Sequence, residues 1–176
     1  MEFNDNIHNR RSIRLKNYDY SKSGLYFITI CTQNKLNLFG QIKNNEMILN
    51  EYGRIVYDEW IKSAEIRNEI ELDKFVIMPN HFHGIVMIYR DCKFKGDQPV
   101  APTKICGPKK KSIGSLISGY KSSVTKKINI LRNTPGINVW QRNYYEHIIR
   151  NDDIYNKIAE YIMYNPITWQ EDKYFA

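Results

Sequence analysis

The distribution of apolar and polar positions predicts a sheet of four main strands. A strand is expected where β-branched and aromatic residues cluster between turn signals. The four segments are Leu25–Thr32, Phe75–Met78, His83–Ile88 and Val139–Arg150. Two shorter segments, Leu38–Lys43 and Glu46–Leu49, flank Asn44-Asn45, a pair that favours a tight hairpin turn. The chain is therefore expected to form one larger sheet and a separate hairpin.

Apolar residues spaced three and four apart predict three helices among these strands. Asn50, Ser112 and Asn151 are of the types that cap helix starts, and each directly precedes one of the three patterns. The longest apolar stripe, in the second helix, comprises Ile113, Leu116, Ile117, Tyr120, Val124, Ile128 and Leu131. Without the hairpin, the element order is β-α-β-β-α-β. We therefore predict an α+β fold: a ferredoxin-like (RRM-like) antiparallel sheet with helices packed on it, plus an extra N-terminal hairpin.

The length of 176 residues suits one domain with a substantial core. Residues 1–20 are predicted to form a flexible basic arm, and residues 21–176 a single domain. Within that domain, residues 91–111 contain three prolines and two glycines, which predicts a long basic loop. The sequence shows neither an N-terminal signal core nor a run of about 18 apolar residues, so we expect a cytoplasmic protein with no membrane partner.

The net charge of +7 is concentrated in one region. No Asp or Glu occurs between Gln98 and Tyr145, whereas this window holds nine basic residues. Segregated positive charge is typical of a surface that binds a polyanion. We therefore predict a face that binds nucleic acid, and the alternative is a solvated basic surface. The predicted DNA contacts are Arg14 in the arm and Lys109, Lys110, Lys111, Lys121, Lys126, Lys127 and Arg142.

Two histidines, His81 and His83, stand one residue apart at the start of a strand that this topology makes central. Alternate residues of a strand point to the same face, so the two imidazoles are predicted to lie side by side. Neutral imidazoles are good ligands for a divalent metal. A His-x-His pair in a strand also occurs as a purely structural feature, and that alternative stays open at this stage.

The third helix carries a tyrosine and an asparagine near its buried face. Ile154 and Ile158 mark that face, and Tyr161 and Asn165 fall at its edges. With the two histidines, the amide oxygen of Asn165 would give a mixed nitrogen and oxygen ligand set. That set suits Mg²⁺ or Mn²⁺ better than a structural zinc ion. The alternative for Tyr161 is a core tyrosine whose hydroxyl has a hydrogen-bond partner.

Several segments resemble the REP-associated tyrosine transposases, a branch of the single-tyrosine transposases within the His-hydrophobe-His (HUH) nuclease superfamily. They are MPNHFHG, WQRNYYEHIIR, and EYIMYNP in the helix that starts after NDD. The opening RRSIRLKNYDY and the segment GPKKKSIGSLISGYKSSVTKKIN are similar as well, so the resemblance covers nearly the whole chain. The order and spacing of these segments make it specific.

The resemblance implies metal-dependent cleavage and rejoining of single-stranded DNA, often at hairpin-forming repeats, in DNA transposition and recombination. It implies that His81, His83 and Asn165 bind Mg²⁺ or Mn²⁺ and that Tyr161 is the nucleophile. Attack of the phenol on phosphorus would release a 3′-hydroxyl and leave a covalent 5′-phosphotyrosine. The base that deprotonates Tyr161 is open between a metal-bound water and His147. The protein would act at the prokaryotic nucleoid, as a monomer or a homodimer.

The alternative function is a non-catalytic module that binds single-stranded nucleic acid on the same scaffold. Such modules stack bases on aromatic residues of a four-stranded sheet. The first strand, YFITICT, has some of these aromatics but lacks the Gly-Phe pattern of an RNA-recognition strand. A divalent metal distinguishes the two functions, because only the nuclease needs it.

Overall fold

A computed structural model describes residues 22–89 and 111–175 of the chain. The predicted arm, residues 1–20, and nearly all of the predicted basic loop lie outside the described residues. Within the described ranges, no helix is both long enough and apolar enough to cross a bilayer.

The described residues form six strands and three helices. The strands are β1 Gly24–Cys31, β2 Gly40–Lys43, β3 Glu46–Leu49, β4 Ile70–Ile77, β5 His81–Ile88 and β6 Tyr145–Ile149. The helices are α1 Glu51–Ile66, α2 Ile113–Leu131 and α3 Asp152–Tyr164. Four strands pair antiparallel in the order β4-β5-β1-β6, and β2 and β3 form a separate hairpin. The predicted ferredoxin-like fold is confirmed, with the histidine strand β5 in a central position.

The helix starts follow from their capping residues. The side-chain oxygen of Asn50 accepts a hydrogen bond from the Gly53 amide, and Asn151 accepts one from the Ile154 amide. Ser112 forms a reciprocal capping box with Ser115. These bonds satisfy amides that have no partner within the first helical turn.

Three sequence-based expectations are wrong in detail. Strand β6 begins at Tyr145 rather than Val139, and Trp140 makes only an isolated bridge with Thr32. The segment before β6 is instead bound by Lys121, whose ammonium donates hydrogen bonds to the backbone carbonyl groups of residues 141–143. Strand β4 begins five residues earlier than expected, at Ile70. Leu131, at the last position of α2, is 49% exposed rather than buried.

The two faces of the sheet are covered differently. Helices α1 and α2 cover one face and bury the main core, in which the Trp60 indole packs against Phe82. Gly84 permits this close approach, because a Cβ atom there would meet the Trp60 and Phe82 rings at about 3 Å. On the opposite face, α3 closes a smaller cluster of Phe27, Ile85, Ile149, Ala159 and Ile162. That second face carries both histidines.

Candidate active site

The two histidines lie side by side at the start of β5, on the face covered by α3. Their ring centroids are 4.5 Å apart, and the side chains are 0% (His81) and 1% (His83) exposed. The rings of Trp169 and Tyr174, in the segment after α3, cover His81 at centroid distances of 5.8 and 4.6 Å. The shared face follows from strand alternation. The segment after α3 therefore covers the start of β5.

Asn80 fixes the tautomer of His81. The amide nitrogen of Asn80 donates to the carbonyl oxygens of Lys35 and Tyr174, at 3.2 and 2.8 Å. Its oxygen therefore faces His81 Nδ1, at 2.9 Å, and that ring nitrogen must carry the proton. The lone pair of His81 is then on Nε2, which is buried and has no hydrogen-bond partner among the described residues.

His83 connects the sheet to the tyrosine of α3. Its Nδ1 lies 2.8 Å from the Thr29 hydroxyl on β1, and its Nε2 lies 3.1 Å from the hydroxyl of Tyr161. The Phe27 ring stacks on His83 at 5.3 Å and holds the imidazole from the other side. Tyr161 is 36% exposed, so its ring lies at the edge of the covered face, as the helix periodicity predicts.

A carboxylate, Asp172, lies between Tyr161 and Asn165. Its Oδ2 accepts hydrogen bonds from the Tyr161 hydroxyl at 3.0 Å and from the Asn165 amide at 2.6 Å. Its Oδ1 accepts one from the Tyr174 backbone amide at 2.7 Å. Asn165 is fully buried, has right-handed helical dihedrals (φ −54°, ψ −40°) despite the following Pro166, and ends α3. The predicted positions therefore converge, together with one residue that the sequence did not indicate.

Burial keeps both imidazoles neutral. Desolvation lowers the pKa of His81 to about 4, and the nearby Asp172 and Asn165 side chains only partly offset this effect. The pKa of His83 is held well below its usual value, first by burial and then by the neighbouring His81. Neutral imidazole is the form of histidine that ligates a metal. The histidines are thus in the ligating state throughout the neutral range.

Burial shifts the pKa of the Tyr161 phenol in the opposite direction. The pKa of Tyr161 is raised, first by desolvation and then by the negative charge of Asp172 and the hydrogen bond to it. The phenol is therefore protonated at neutral pH. Its use as a nucleophile requires an acceptor for the proton, and the Asp172 carboxylate already contacts it.

The residues present fit a divalent metal. His81 Nε2 and Asn165 Oδ1 are buried atoms without hydrogen-bond partners in the described part of the chain. His81, His83 and Asp172 offer ligand atoms that all lie within 4.8 Å of one another. A metal would satisfy these lone pairs, and two nitrogens with one or two oxygens suit Mn²⁺ or Mg²⁺. The hydrogen bonds of His81 with Asn80 and of His83 with Thr29 orient the ligand rings from behind.

The predicted basic contacts differ in their surroundings. Arg14, Lys109 and Lys110 lie outside the described residues, whereas Lys111, Lys126 and Arg142 are exposed. Lys127 forms an ion pair with Glu59 on α1. The ammonium of Lys121 is bound to backbone carbonyls, and burial lowers its pKa to about 8. Their role in DNA binding remains a prediction.

Lys121, Lys126 and Arg142 line an open groove of ≈ 470 Å³ between α2 and the segment before β6. The wall of the groove also includes the side chains of Asn129, Asn138 and Gln141. The segment after Trp140 runs beside Cys31, since the Gln141 amide donates to the Cys31 carbonyl. Cys31 pairs with His81 in the sheet. The groove therefore reaches the end of the sheet that carries the histidines.

No protein-family model matches the chain. A protein of Haemophilus influenzae, described only as uncharacterized, is 44% identical over 178 residues, which cover 99% of this chain and 98% of that protein. A solved REP-associated tyrosine transposase bound to a REP hairpin has a TM-score of 0.53 and 20% identity, over 92% of this chain and 77% of the other. A putative transposase of Deinococcus radiodurans has a TM-score of 0.47 and 15% identity, over 86% and 96%.

These comparisons establish the class of fold and the family separately. The chain has the fold of the REP-associated tyrosine transposases, which the resemblance of its motifs predicted. It belongs to the same protein family as the uncharacterized Haemophilus influenzae protein.

Proposed function

We propose that the protein is a metal-dependent single-tyrosine transposase and endonuclease of the HUH superfamily. It cleaves and rejoins single-stranded DNA through a covalent 5′-phosphotyrosine on Tyr161. The observation that carries the proposal is the placement of the Tyr161 hydroxyl 3.1 Å from His83 Nε2. The same cluster contains His81 Nε2 and Asn165 Oδ1, two buried atoms that have no hydrogen-bond partner within residues 22–89 and 111–175.

His81, His83 and Asn165 would hold Mg²⁺ or Mn²⁺, with Asp172 as a further oxygen ligand within reach. When bound, such a metal polarises non-bridging phosphate oxygens and stabilises the charge that develops in the transition state. The remaining chemistry belongs to the chain. Asn80 and Thr29 hold the imidazoles in place, while Trp169 and Tyr174 cover His81 and exclude water.

Tyr161 supplies the nucleophile and Asp172 the proton acceptor. The phenol oxygen attacks phosphorus, the bond from phosphorus to the 3′-oxygen breaks, and the phenol proton passes to the Asp172 carboxylate. The departing 3′-oxygen takes up a proton from water and leaves as a 3′-hydroxyl, and Asp172 returns the phenol proton to water. The sequence left the base open between a metal-bound water and His147. Asp172 is preferred because it accepts a hydrogen bond from the Tyr161 hydroxyl, whereas His147 lies opposite Phe27 on β6. The phosphotyrosine conserves the phosphodiester energy, so a second 3′-hydroxyl can reverse the step.

The substrate is single-stranded DNA next to hairpin-forming repeats. The solved transposase of the same fold was bound to a REP hairpin. The exposed basic residues of this chain, together with the acid-free window between Gln98 and Tyr145, are suited to phosphate contacts. With this substrate, the protein acts at the nucleoid.

The experiment is cleavage of a labelled REP-type hairpin oligonucleotide with single-stranded flanks, in the presence of Mn²⁺ or of a chelator. The wild type should cleave only with the metal, and His81→Ala and His83→Ala should not cleave. His147→Ala is the matched control, because it removes an exposed imidazole from the same face of the sheet and should cleave normally. Binding of the hairpin without any cleavage by the wild type in Mn²⁺ would favour the non-catalytic module instead.

A further inference from the structure

Strand β6 carries an uncovered tyrosine beside the active site. Tyr145, His147 and Ile149 alternate onto the face that α3 covers. Ile149 is buried beneath α3, whereas Tyr145, four residues earlier, is 43% exposed. In the sheet register Tyr145 pairs with Thr29, the residue whose hydroxyl contacts His83. Tyr145 therefore lies one strand away from the catalytic cluster, on the open edge of the sheet.

A continuous series of aromatic rings joins Tyr145 to the nucleophile. The ring of Phe27 meets Tyr145 edge-on at a centroid distance of 6.3 Å and meets Tyr161 edge-on at 6.4 Å. Phe27 itself is only 8% exposed and stacks on His83. The accessible ring at the outer end of this series is therefore Tyr145, and Phe27 supports it from below.

Positive charge accompanies this ring. The ammonium of Lys173 lies 5.9 Å from the centroid of Tyr145 and 4.9 Å from that of Tyr174. Arg142, which is exposed and lines the basic groove, precedes Tyr145 by three residues. The carboxylate of Asp172 is directed at Tyr161 and Asn165 through its hydrogen bonds. An accessible ring with an ammonium beside it and an exposed guanidinium three residues earlier in the chain has the composition of a stacking platform for single strands.

We propose that Tyr145 stacks on a base of the single-stranded DNA at the active site, while Lys173 contacts the adjoining phosphate. This inference rests on the proposed function and adds the path of the bound DNA strand across the protein. The DNA passes from the groove between α2 and the segment before β6 and crosses the edge strand β6. The scissile phosphate then reaches Tyr161. Stacking on Tyr145 is independent of sequence, because every base has a π face.

The test compares binding of two probes that differ only in their bases: a dT12 oligonucleotide and an abasic 12-mer with the same backbone. Tyr145→Ala should weaken dT12 binding by about 5- to 150-fold, the range of one base stacked on an aromatic ring. It should leave binding of the abasic 12-mer unchanged. Lys173→Gln should weaken both probes, since it removes a phosphate contact that does not depend on the base.

The matched control is Tyr57→Ala. Tyr57 is 45% exposed and its ring lies 5.7 Å from that of Phe75, but it lies on α1, against the other face of the sheet. Its replacement should leave the binding of both probes unchanged. Equal loss of both probes in Tyr145→Ala, no loss of either, or no preference of the wild type for dT12 would each overturn the proposal. The assay measures binding and does not depend on cleavage. If the wild type fails to cleave DNA but Tyr145→Ala still weakens dT12 binding alone, the proposed catalysis is contradicted and the stacking role of Tyr145 is supported.

Discussion

Substitution of Asn80 tests most directly how the site is held together. Asn80 is buried, and its side chain makes three hydrogen bonds: to His81 Nδ1 and to the carbonyl groups of Lys35 and Tyr174. The Asn80→Ala substitution removes all three at once. At a net contribution of about 1 kcal/mol for each bond, the free energy of unfolding should fall by about 2–4 kcal/mol.

The same substitution should reduce metal affinity. Without the acceptor oxygen, the Nδ1 proton of His81 is no longer fixed, and the ring can rotate or change tautomer. Loss of such a partner behind a ligating histidine typically costs 10- to 100-fold in metal affinity. Isothermal titration with Mn²⁺, together with urea denaturation of the same samples, measures both effects.

Asn129→Ala separates loss of stability from loss of the orienting contact. Asn129 is also buried, on α2, and likewise takes part in three hydrogen bonds, with the Ile137 carbonyl and the Arg132 guanidinium. It should lose a similar amount of stability and keep wild-type Mn²⁺ affinity. If Asn80→Ala also keeps wild-type Mn²⁺ affinity, the fixed tautomer of His81 has no part in metal binding, and the reasoning is refuted.

Three further predictions follow from the site and its charges. The free energy of unfolding of the metal-free protein should fall as pH falls from about 6.5 to about 4, because the unfolded chain protonates His81 and His83 while the folded state keeps them neutral. An equally steep fall in the His81→Gln/His83→Gln double variant would contradict this prediction. Asp172→Asn should slow cleavage by about 10²- to 10⁴-fold, whereas the adjacent exposed Glu171→Gln should not, and equal rates for both would remove Asp172 as the proton acceptor. Replacing Lys109, Lys110 and Lys111 with Gln should reduce the salt slope of single-strand binding by about 2, and an unchanged slope would place the DNA elsewhere.

Local sequence patterns predicted the frame of the site well. Asn50, Ser112 and Asn151 cap helices because their short polar side chains bond to nearby amides, which depends on few distant residues. Likewise, the common face of His81 and His83 follows from strand alternation alone. The central position of β5 followed from the order of elements in the chain.

The contacts that close the site could not be predicted in this way. Asp172 lies seven residues after Asn165 in a segment without regular periodicity, and only the folded chain brings it to Tyr161. The covering of His81 by Tyr174 depends on the same segment. By composition, Val139–Arg150 is predicted to be one strand, but the Lys121 ammonium binds backbone carbonyl groups in the first half of this segment. Each of these features depends on contacts between distant parts of the sequence.

The central claim, that Tyr161 is the nucleophile of a strand-cleaving enzyme, is tested by mass spectrometry of the denaturation-resistant protein–DNA adduct formed in Mn²⁺. The wild type should yield a peptide with Tyr161 joined to the 5′-phosphate of the downstream fragment. Tyr161→Phe keeps the ring against Phe27 and should form no adduct, whereas Tyr164→Phe, an exposed neighbour on α3, should form it normally. An adduct that persists in Tyr161→Phe, or that joins Tyr161 to the upstream fragment, would contradict the account.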